Sequence, residues 1–230
     1  MMTQNCWMIR AGHGSKLVND FKEKSLVAIG WGQAGDFSKL LTRQSIAELI
    51  TKNYPDNSQH QNRAAAGQIF RFLHEIKVGD AVLTYDSIQR TYFLGKITSM
   101  PIYDLSLLDG LYTYRKVDWV SEIDRDLLSA TTKNTLGGIM TLFKLSPEAF
   151  AEISSRIYNP PVVSDFEIEI NEVEDESDLL KDVQARSIEF IKDKISKLNW
   201  EQMQTLVADI LAAMGYKTRI SPQGSDRGKD

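Results

Sequence analysis

A flat heteroaromatic ring is held by stacking on its two faces and by hydrogen bonds along its edge. The N-terminal part of this sequence carries both kinds of side chain. Trp31 stands between Gly30 and Gly32 at the end of an apolar run, an exposed turn position where a core tryptophan is not expected. Trp7, Tyr85, Tyr92, Tyr114 and Trp119 lie on or beside segments that read as strands, and Asp86 and Ser87 fall in a turn between two of them. Arg10, Arg63, Arg90, Arg115 and Lys116 are the candidates for contacts to phosphate. Hydrophobic core and solvated surface compete with function at each of these positions.

Other chemistries find no footing. The chain has no phosphate-binding glycine loop of the G-x-x-x-x-G-K-[ST] kind, no G-x-G-x-x-G after a strand and no G-x-S-x-G elbow. One cysteine, Cys6, and three scattered histidines, His13, His60 and His74, are too few for a structural zinc site and share no spacing that suggests a thiol dyad. No stretch is apolar for long enough to span a membrane, and the N-terminus has neither a basic region nor an apolar core of a signal peptide, so a cytoplasmic protein is expected.

A net charge of -4 over 230 residues argues against a nucleic-acid binder only until it is divided. Residues 1–154 carry 17 Lys and Arg against 16 Asp and Glu, residues 155–180 carry 1 against 8, and residues 181–230 carry 9 against 7. The acidity is confined to one stretch containing Pro160-Pro161 and the run Glu172, Glu174, Asp175, Glu176 and Asp178, the composition of a solvated connector. The sequence therefore reads as a domain over 1–154, an acidic linker over 155–180 and a second domain opening at 181.

The elements that must position the candidates follow from periodicity. Cys6 to Arg10 and Leu26 to Trp31 read as buried strands joined by a short helix capped by Ser15. Thr42 caps a helix that ends near Asn53, and Asn62 to Ile76 repeats apolar residues at helical spacing. GDAVLTYD and RTYFLGKITSM form a hairpin turning at Ser87-Ile88-Gln89, TYRKVDWV is a further strand, and Thr135 to Leu145 is a closing segment. Ser146 then caps a helix with Pro147 at its first position. Five or six strands with inserted helices and no βαβ rhythm give an α+β domain on a small, strongly bent sheet. Beyond the linker, Leu179 to Lys197 and a helix capped by Asn199 are both amphipathic; Gly215 ends the latter and Tyr216 to Ile220 reads as a strand.

The order W-M-I-R-A-G, V-A-I-G-W-G, I-K-V-G-D-A-V-L-T, Y-F-L-G-K-I and Y-R-K-V-D-W-V over 1–154 resembles the EVE-type branch of the PUA-like superfamily. That resemblance implies a small bent β-barrel that draws one modified base of a nucleic acid into a pocket of aromatic and polar side chains. Trp31, Trp7, Tyr85, Asp86, Ser87, Tyr114 and Trp119 would then be the base-binding set. The segment N-W-x-x-M-Q-x-L-V-A-D-I-L-A-A-M-G-Y-K-T followed by G-S-D-R-G-K-D, over 199–230, resembles the beginning of the Mrr-type restriction endonuclease domain, of the PD-(D/E)xK fold. On that likeness Asp230 matches the first metal-binding, catalytic aspartate and Asp226 the loop aspartate before it, while Gln204 stands where relatives commonly carry a glutamate. The metal implied is Mg²⁺ in the complete nuclease. The E-x-K strand that such chemistry needs would follow Asp230, so these residues are expected to be inactive alone and to belong to a longer enzyme.

Together the two likenesses point to the DNA-binding part of a modification-dependent restriction endonuclease, with DNA carrying a modified base as partner and a homodimer as one possible assembly. The alternatives are a non-catalytic reader of modified RNA, and a module that binds a protein or small ligand through Trp31.

Overall fold

In the computed structural model, residues 5–107, 110–138, 140–158 and 176–220 are described. The first strand, β1 (Cys6–Ile9), shows why two adjacent runs of the sequence are apolar without alternation: every residue in it is buried. Trp7 and Ile9 enter one core while Cys6 and Met8 enter another on the opposite face, so the strand is covered on both sides. A short helix α1 (Val18–Glu23) leads to β2 (Leu26–Ile29), which is buried throughout as well. Helices α2 (Arg43–Asn53) and α3 (Gln59–Phe70) follow, then β3 (Ala81–Asp86), β4 (Thr91–Ile97), β5 (Ile102–Tyr103) and the long β6 (Thr113–Asp124). Helix α4 (Ala130–Leu136), β7 (Leu142–Lys144) and α5 (Pro147–Tyr158) complete this part.

The seven strands form one sheet in the order β2-β6-β4-β3-β1-β7, with β5 added to β6. All pairings are antiparallel except β1 with β3. The long β6 pairs with β4 through one half and with β2 and β5 through the other, and the register with β4 shifts at Leu94/Gly95. A bulge of this kind bends a sheet, and Gly95 permits it: a Cβ there would lie 2.4 Å from Val117 Cγ1. The result is a curled half-barrel with helices on both faces, an α+β architecture. One face packs Trp7, Ile9, Val27, Phe93 and Val117 against α1, α2 and α3; the other packs Met8, Leu83, Tyr92 and Ile123 against α4 and α5.

Helix starts follow their side-chain signals. Thr42 accepts the amide of Ser45, and Ser146 accepts that of Ala149. Ser58 and Gln61 make a reciprocal capping box for α3, three residues ahead of the expected start at Asn62. Ser15 does not cap α1. Its own backbone lies in the left-handed region, its hydroxyl accepts the amide of Ser87, and the helix begins after Leu17 without a side-chain cap. The closing segment is not one piece either, since α4 precedes β7; Ser129 is its cap, accepting from Thr132 N at 3.2 Å.

The chain divides into two compact units, Met1–Asp175 and Glu176–Asp230. Most of the predicted linker, residues 159–175, lies outside the described residues. In the second unit α6 (Glu176–Ile195) is followed by α7 (Trp200–Ala213), capped by a reciprocal Asn199–Gln202 box, and Gly215 takes a positive φ of 90° just past the helix end. The two helices border an apolar groove of about 300 Å³ lined by Phe190, Ile191, Ile195, Leu198 and Leu206. The strand expected over 216–220 is not formed. A strand needs a neighbour for its hydrogen bonds, and this unit offers none among the described residues.

Candidate functional site

Trp31 adopts φ 67° and ψ 20°, a left-handed conformation that is unfavourable by roughly 1 kcal/mol or more for a residue with a side chain. Surrounding contacts hold it there. The next amide, Gly32 N–H, donates to Gly110 O at 3.2 Å, Ala34 N–H donates back to Trp31 O at 3.0 Å, and a single 3-10 turn, Gly32–Ala34, results. Gly32 is required by close approach: a Cβ would sit 2.6 Å from Gly110 O and 2.7 Å from Cδ2 of Tyr112. The ring of Tyr112 thus lies directly on the backbone that follows Trp31. Tyr112 meets Tyr103 edge to face, centroids 6.4 Å apart at 81°. Tyr54 joins from the end of α2, where burial pushes its phenol up and a hydrogen bond from the backbone of Gln33 opposes the shift.

Trp31, Tyr54, Tyr103 and Tyr112 are all partly exposed, and they come from four separate segments gathered about one turn. An aromatic group of this composition can stack a planar ring. Asp104 lies next to Tyr103; its amide donates to Tyr112 O at 2.8 Å, and its carboxylate, held below the usual range by hydrogen bonds from the Ser106 hydroxyl and amide, fixes the start of the loop. Of these residues only Trp31 stands out in the sequence. Tyr54, Tyr103 and Tyr112 sit at element ends or in loops, where no periodicity marks them.

Of the remaining expected base-binding residues, Trp7, Tyr85 and Asp86 are inside, Ser87 is tied into a turn, and Tyr114 and Trp119 are half-buried as Trp31 and Tyr54 are. Trp7 is 2% exposed and donates its indole N–H to Asp80 at 2.9 Å, so it belongs to the core. Tyr85 is buried on the other face, stacked on Tyr92 with centroids 4.4 Å apart. Asp86 is buried and accepts the amides of Ile88 and Gln89, closing the β3–β4 turn. Ser87 fastens that turn to the β1–α1 loop: its amide donates to Ser15 Oγ and its hydroxyl to Gly14 O. Tyr114 and Trp119 are half-buried on β6 against the first core, and Trp119 donates to Phe21 O at 3.1 Å.

The basic candidates divide in the same way. Arg115 is fully buried. Its Nε donates to Phe72 O at 2.9 Å, Nη1 to Ser99 O at 3.0 Å, and Nη2 to Leu73 O and Ile76 O, each at 3.1 Å. These last carbonyls belong to the end of α3, where the chain widens into a π-turn over Arg71–Glu75 and Ile76 N–H reaches back five residues to Arg71 O. Burial lowers the guanidinium to about 10, partly offset by Asp80, so it remains cationic at neutral pH while it caps a helix end. It has no face left for phosphate, and the expectation of a phosphate contact is corrected. Arg10 is half-buried and donates to the carbonyls of Leu136 and Gly138, tying β1 to the α4–β7 loop. Arg90 is paired with Asp126 at 2.5 Å. Arg63 on α3 and Lys116 on β6 are exposed, and of the five expected phosphate ligands these two keep open side chains.

Cys6 is buried, and burial with the nearby charge of Asp80 pushes its thiol far up, the opposite of an activated nucleophile. Among the described residues no group of three or more His, Cys, Asp or Glu side chains is placed to hold a metal ion. Asp226 and Asp230 lie outside the described residues. No helix of the described residues is long and apolar enough to cross a membrane. No curated protein matches the sequence. Residues 7–146, which run from the first strand of the curled sheet to the cap that follows its last, match the family described as Domain of unknown function (DUF8426), and the chain belongs to that family.

Proposed function

We propose that residues 1–154 read a modified base in DNA by taking the flipped ring onto the aromatic group around Trp31, and that they are the recognition part of a modification-dependent restriction endonuclease whose nuclease domain opens at residue 181. The observation that carries the reading is the Trp31 turn itself: a strained tryptophan, fixed by Gly32 against Tyr112, with further tyrosines beside it. Strain of this kind persists where surrounding contacts demand it and is concentrated at binding sites. The curled half-barrel is compatible with the PUA-like fold that the sequence resembles. The second unit supports the nuclease part only through the resemblance of residues 199–230, whose Asp230 and Asp226 would be the residues to hold Mg²⁺; no hydrolytic step is derived from them.

The test is binding of the 230-residue chain to matched duplexes that are unmodified or carry methylated cytosine, hydroxymethylated cytosine or methylated adenine, at two salt concentrations. Preference for one modified duplex, weakening with salt and reduced at least about tenfold in Trp31→Ala and in Tyr112→Ala, is expected. Equal affinity of both variants and the wild type would overturn the site. Preference for modified RNA over every duplex would replace DNA by RNA, and binding without salt dependence would favour a protein or small-molecule ligand.

A further inference from the structure

The charge of the first domain is unevenly placed. Of its 17 Lys and Arg and 16 Asp and Glu, residues 38–77, which hold α2, α3 and the turn that ends α3, carry 6 against 3, leaving 11 against 13 for the rest. Among the described residues Lys39, Lys52, Arg63 and Arg71 make no ion pair and no side-chain hydrogen bond. The hairpin geometry sets the direction of two of them. Helices α2 and α3 are joined by the short loop 54–58 and run antiparallel, and Asn62 Nδ2 donates to Thr51 Oγ1 at 3.1 Å, so these two residues face each other across the pair. A right-handed helix turns by about 100° per residue. In two antiparallel helices that turn carries the next residue of each, Lys52 and Arg63, to the same side of the pair. Buried Ile46 and Ile50 of α2 and Ala65, Gln68 and Ile69 of α3 take the other side, towards the sheet, so exposed Lys52 and Arg63 stand together on the outer surface. Arg71 follows Arg63 by eight residues, about 12 Å along the helix, and Gly67 between them has open space where a Cβ would be.

We propose that the outer surface of the α2–α3 hairpin carries the phosphate backbone of the bound DNA, with Lys52, Arg63 and Arg71 as its contacts. The inference rests on the base-reading proposal above: Tyr54 of the aromatic group follows Lys52 by two residues and ends α2, so the surface adjoins the base site. Three acids belong to the hairpin. Glu48 accepts the Gln44 amide at 2.9 Å, Glu75 is paired with Arg43, and Asp56 is exposed in the loop, which leaves residues 38–77 at a net charge of +3. The far end of β6 has the opposite sign. Glu122, Asp124 and Asp126 are exposed there, and β6 meets β2 only through Thr113 to Lys116, so a polyanion seated at the Trp31 turn is attracted to the hairpin and repelled from that end. A protein partner would call for large apolar side chains at the centre of the surface. No residue of α2 or α3 is an exposed large apolar one, and unpaired cations with a glycine between them suit phosphate instead.

The experiment measures the affinity of the full chain for a modified duplex and for its unmodified twin over a range of salt, beside Lys52→Ala/Arg63→Ala, Arg71→Ala, Arg63→Lys and, as a control on β7, Lys144→Ala. Each phosphate contact contributes about 0.9 to the slope of log affinity against log salt. The double variant is expected to lose about tenfold on both duplexes, with its slope lower by about two, and Arg71→Ala to lower the slope by about one. Arg63→Lys and Lys144→Ala keep the wild-type slope, and every variant keeps the preference for the modified duplex, because phosphate contacts act alike on both. An unchanged slope in the double variant, with that preference intact, would overturn the phosphate surface and leave base reading standing. An equal loss in Lys144→Ala would also overturn it, since that is what diffuse attraction gives. A wild type that binds both duplexes alike, with the slopes falling as stated, would remove base reading and keep the phosphate surface. A wild type that binds neither duplex would overturn both.

Discussion

Replacing Arg115 by methionine separates two roles that the sequence alone leaves joined. If the side chain is the buried cap of α3, the substitution strands three carbonyls at the helix end, Phe72, Leu73 and Ile76, together with Ser99 O. Hydrogen bonds to a charged donor are worth roughly 1.5–3 kcal/mol each. Desolvating the guanidinium takes back several kcal/mol, so the four bonds cannot be summed at face value. A buried carbonyl left without a donor costs about 1–3 kcal/mol, which after that offset leaves a net destabilisation of about 3–5 kcal/mol. For a unit of this size each kcal/mol lowers Tm by about 2–4 °C, giving a fall of roughly 6–20 °C. Thermal unfolding followed by circular dichroism measures it, with Arg115→Lys as companion: an ammonium cannot reproduce the planar fork and should recover only part of the loss. A Tm unchanged within about 2 °C, with DNA affinity lower and its salt slope reduced by about one, would refute the structural role and return Arg115 to the phosphate contacts.

Two further outcomes test the scaffold. Glu152 is opposed by burial but receives hydrogen bonds from Thr132 and from the hydroxyl and amide of Ser129, with Arg156 nearby, and its carboxyl is held below the usual range. A depressed carboxylate contributes stability that is complete above its unfolded value and is lost as pH falls through the folded one. Glu152→Gln is therefore expected to lower stability by about 1–2 kcal/mol at neutral pH and to converge with the wild type in acid; denaturant melts over the acid range check this, and a gap independent of pH would contradict it. Gly32→Ala forces a Cβ to within 2.6 Å of Gly110 O and should destabilise by about 1–3 kcal/mol while displacing Tyr112, seen as a change in Trp31 fluorescence. An unaltered Tm and spectrum would show that the loop over 110–112 yields freely.

Five of the seven strands are legible because apolar runs and turn residues mark them, and the hairpin turn falls where Asp86 and Ser87 indicate, whereas β5 and β7, of two and three residues, are too short to show a pattern. The aromatic site is not legible, since Tyr54, Tyr103 and Tyr112 are brought to Trp31 by topology and share no local pattern. Arg115 shows a signal that was present and unused. Thr113, Arg115 and Val117 occupy alternate positions of β6 and are all buried, so the parity of the strand places the arginine with the valine and not with exposed Lys116 and Asp118. A formal charge suggests the surface, whereas a guanidinium facing several helix-end carbonyls is stable inside. Helix α4 was missed for the opposite reason: ATTKNTL is rich in threonine, a weak helix former, and what defines the helix is tertiary, through the anchoring of its Ser129 cap by Glu152. Residues 216–220 have β-branched residues but no neighbour, and β propensity without a partner is not a strand.

The place of β1 between β3 and β7 has a consequence for synthesis on the ribosome. The N-terminal strand emerges first, yet the partner on one edge begins at Ala81 and that on the other at Leu142. Until both have been translated, Trp7 and Ile9 have no completed core to enter and both edges of the strand are open to pairing with another chain. Closure is a late event set by the arrival of a three-residue strand, and nascent chains released before it are the ones a chaperone would have to shield.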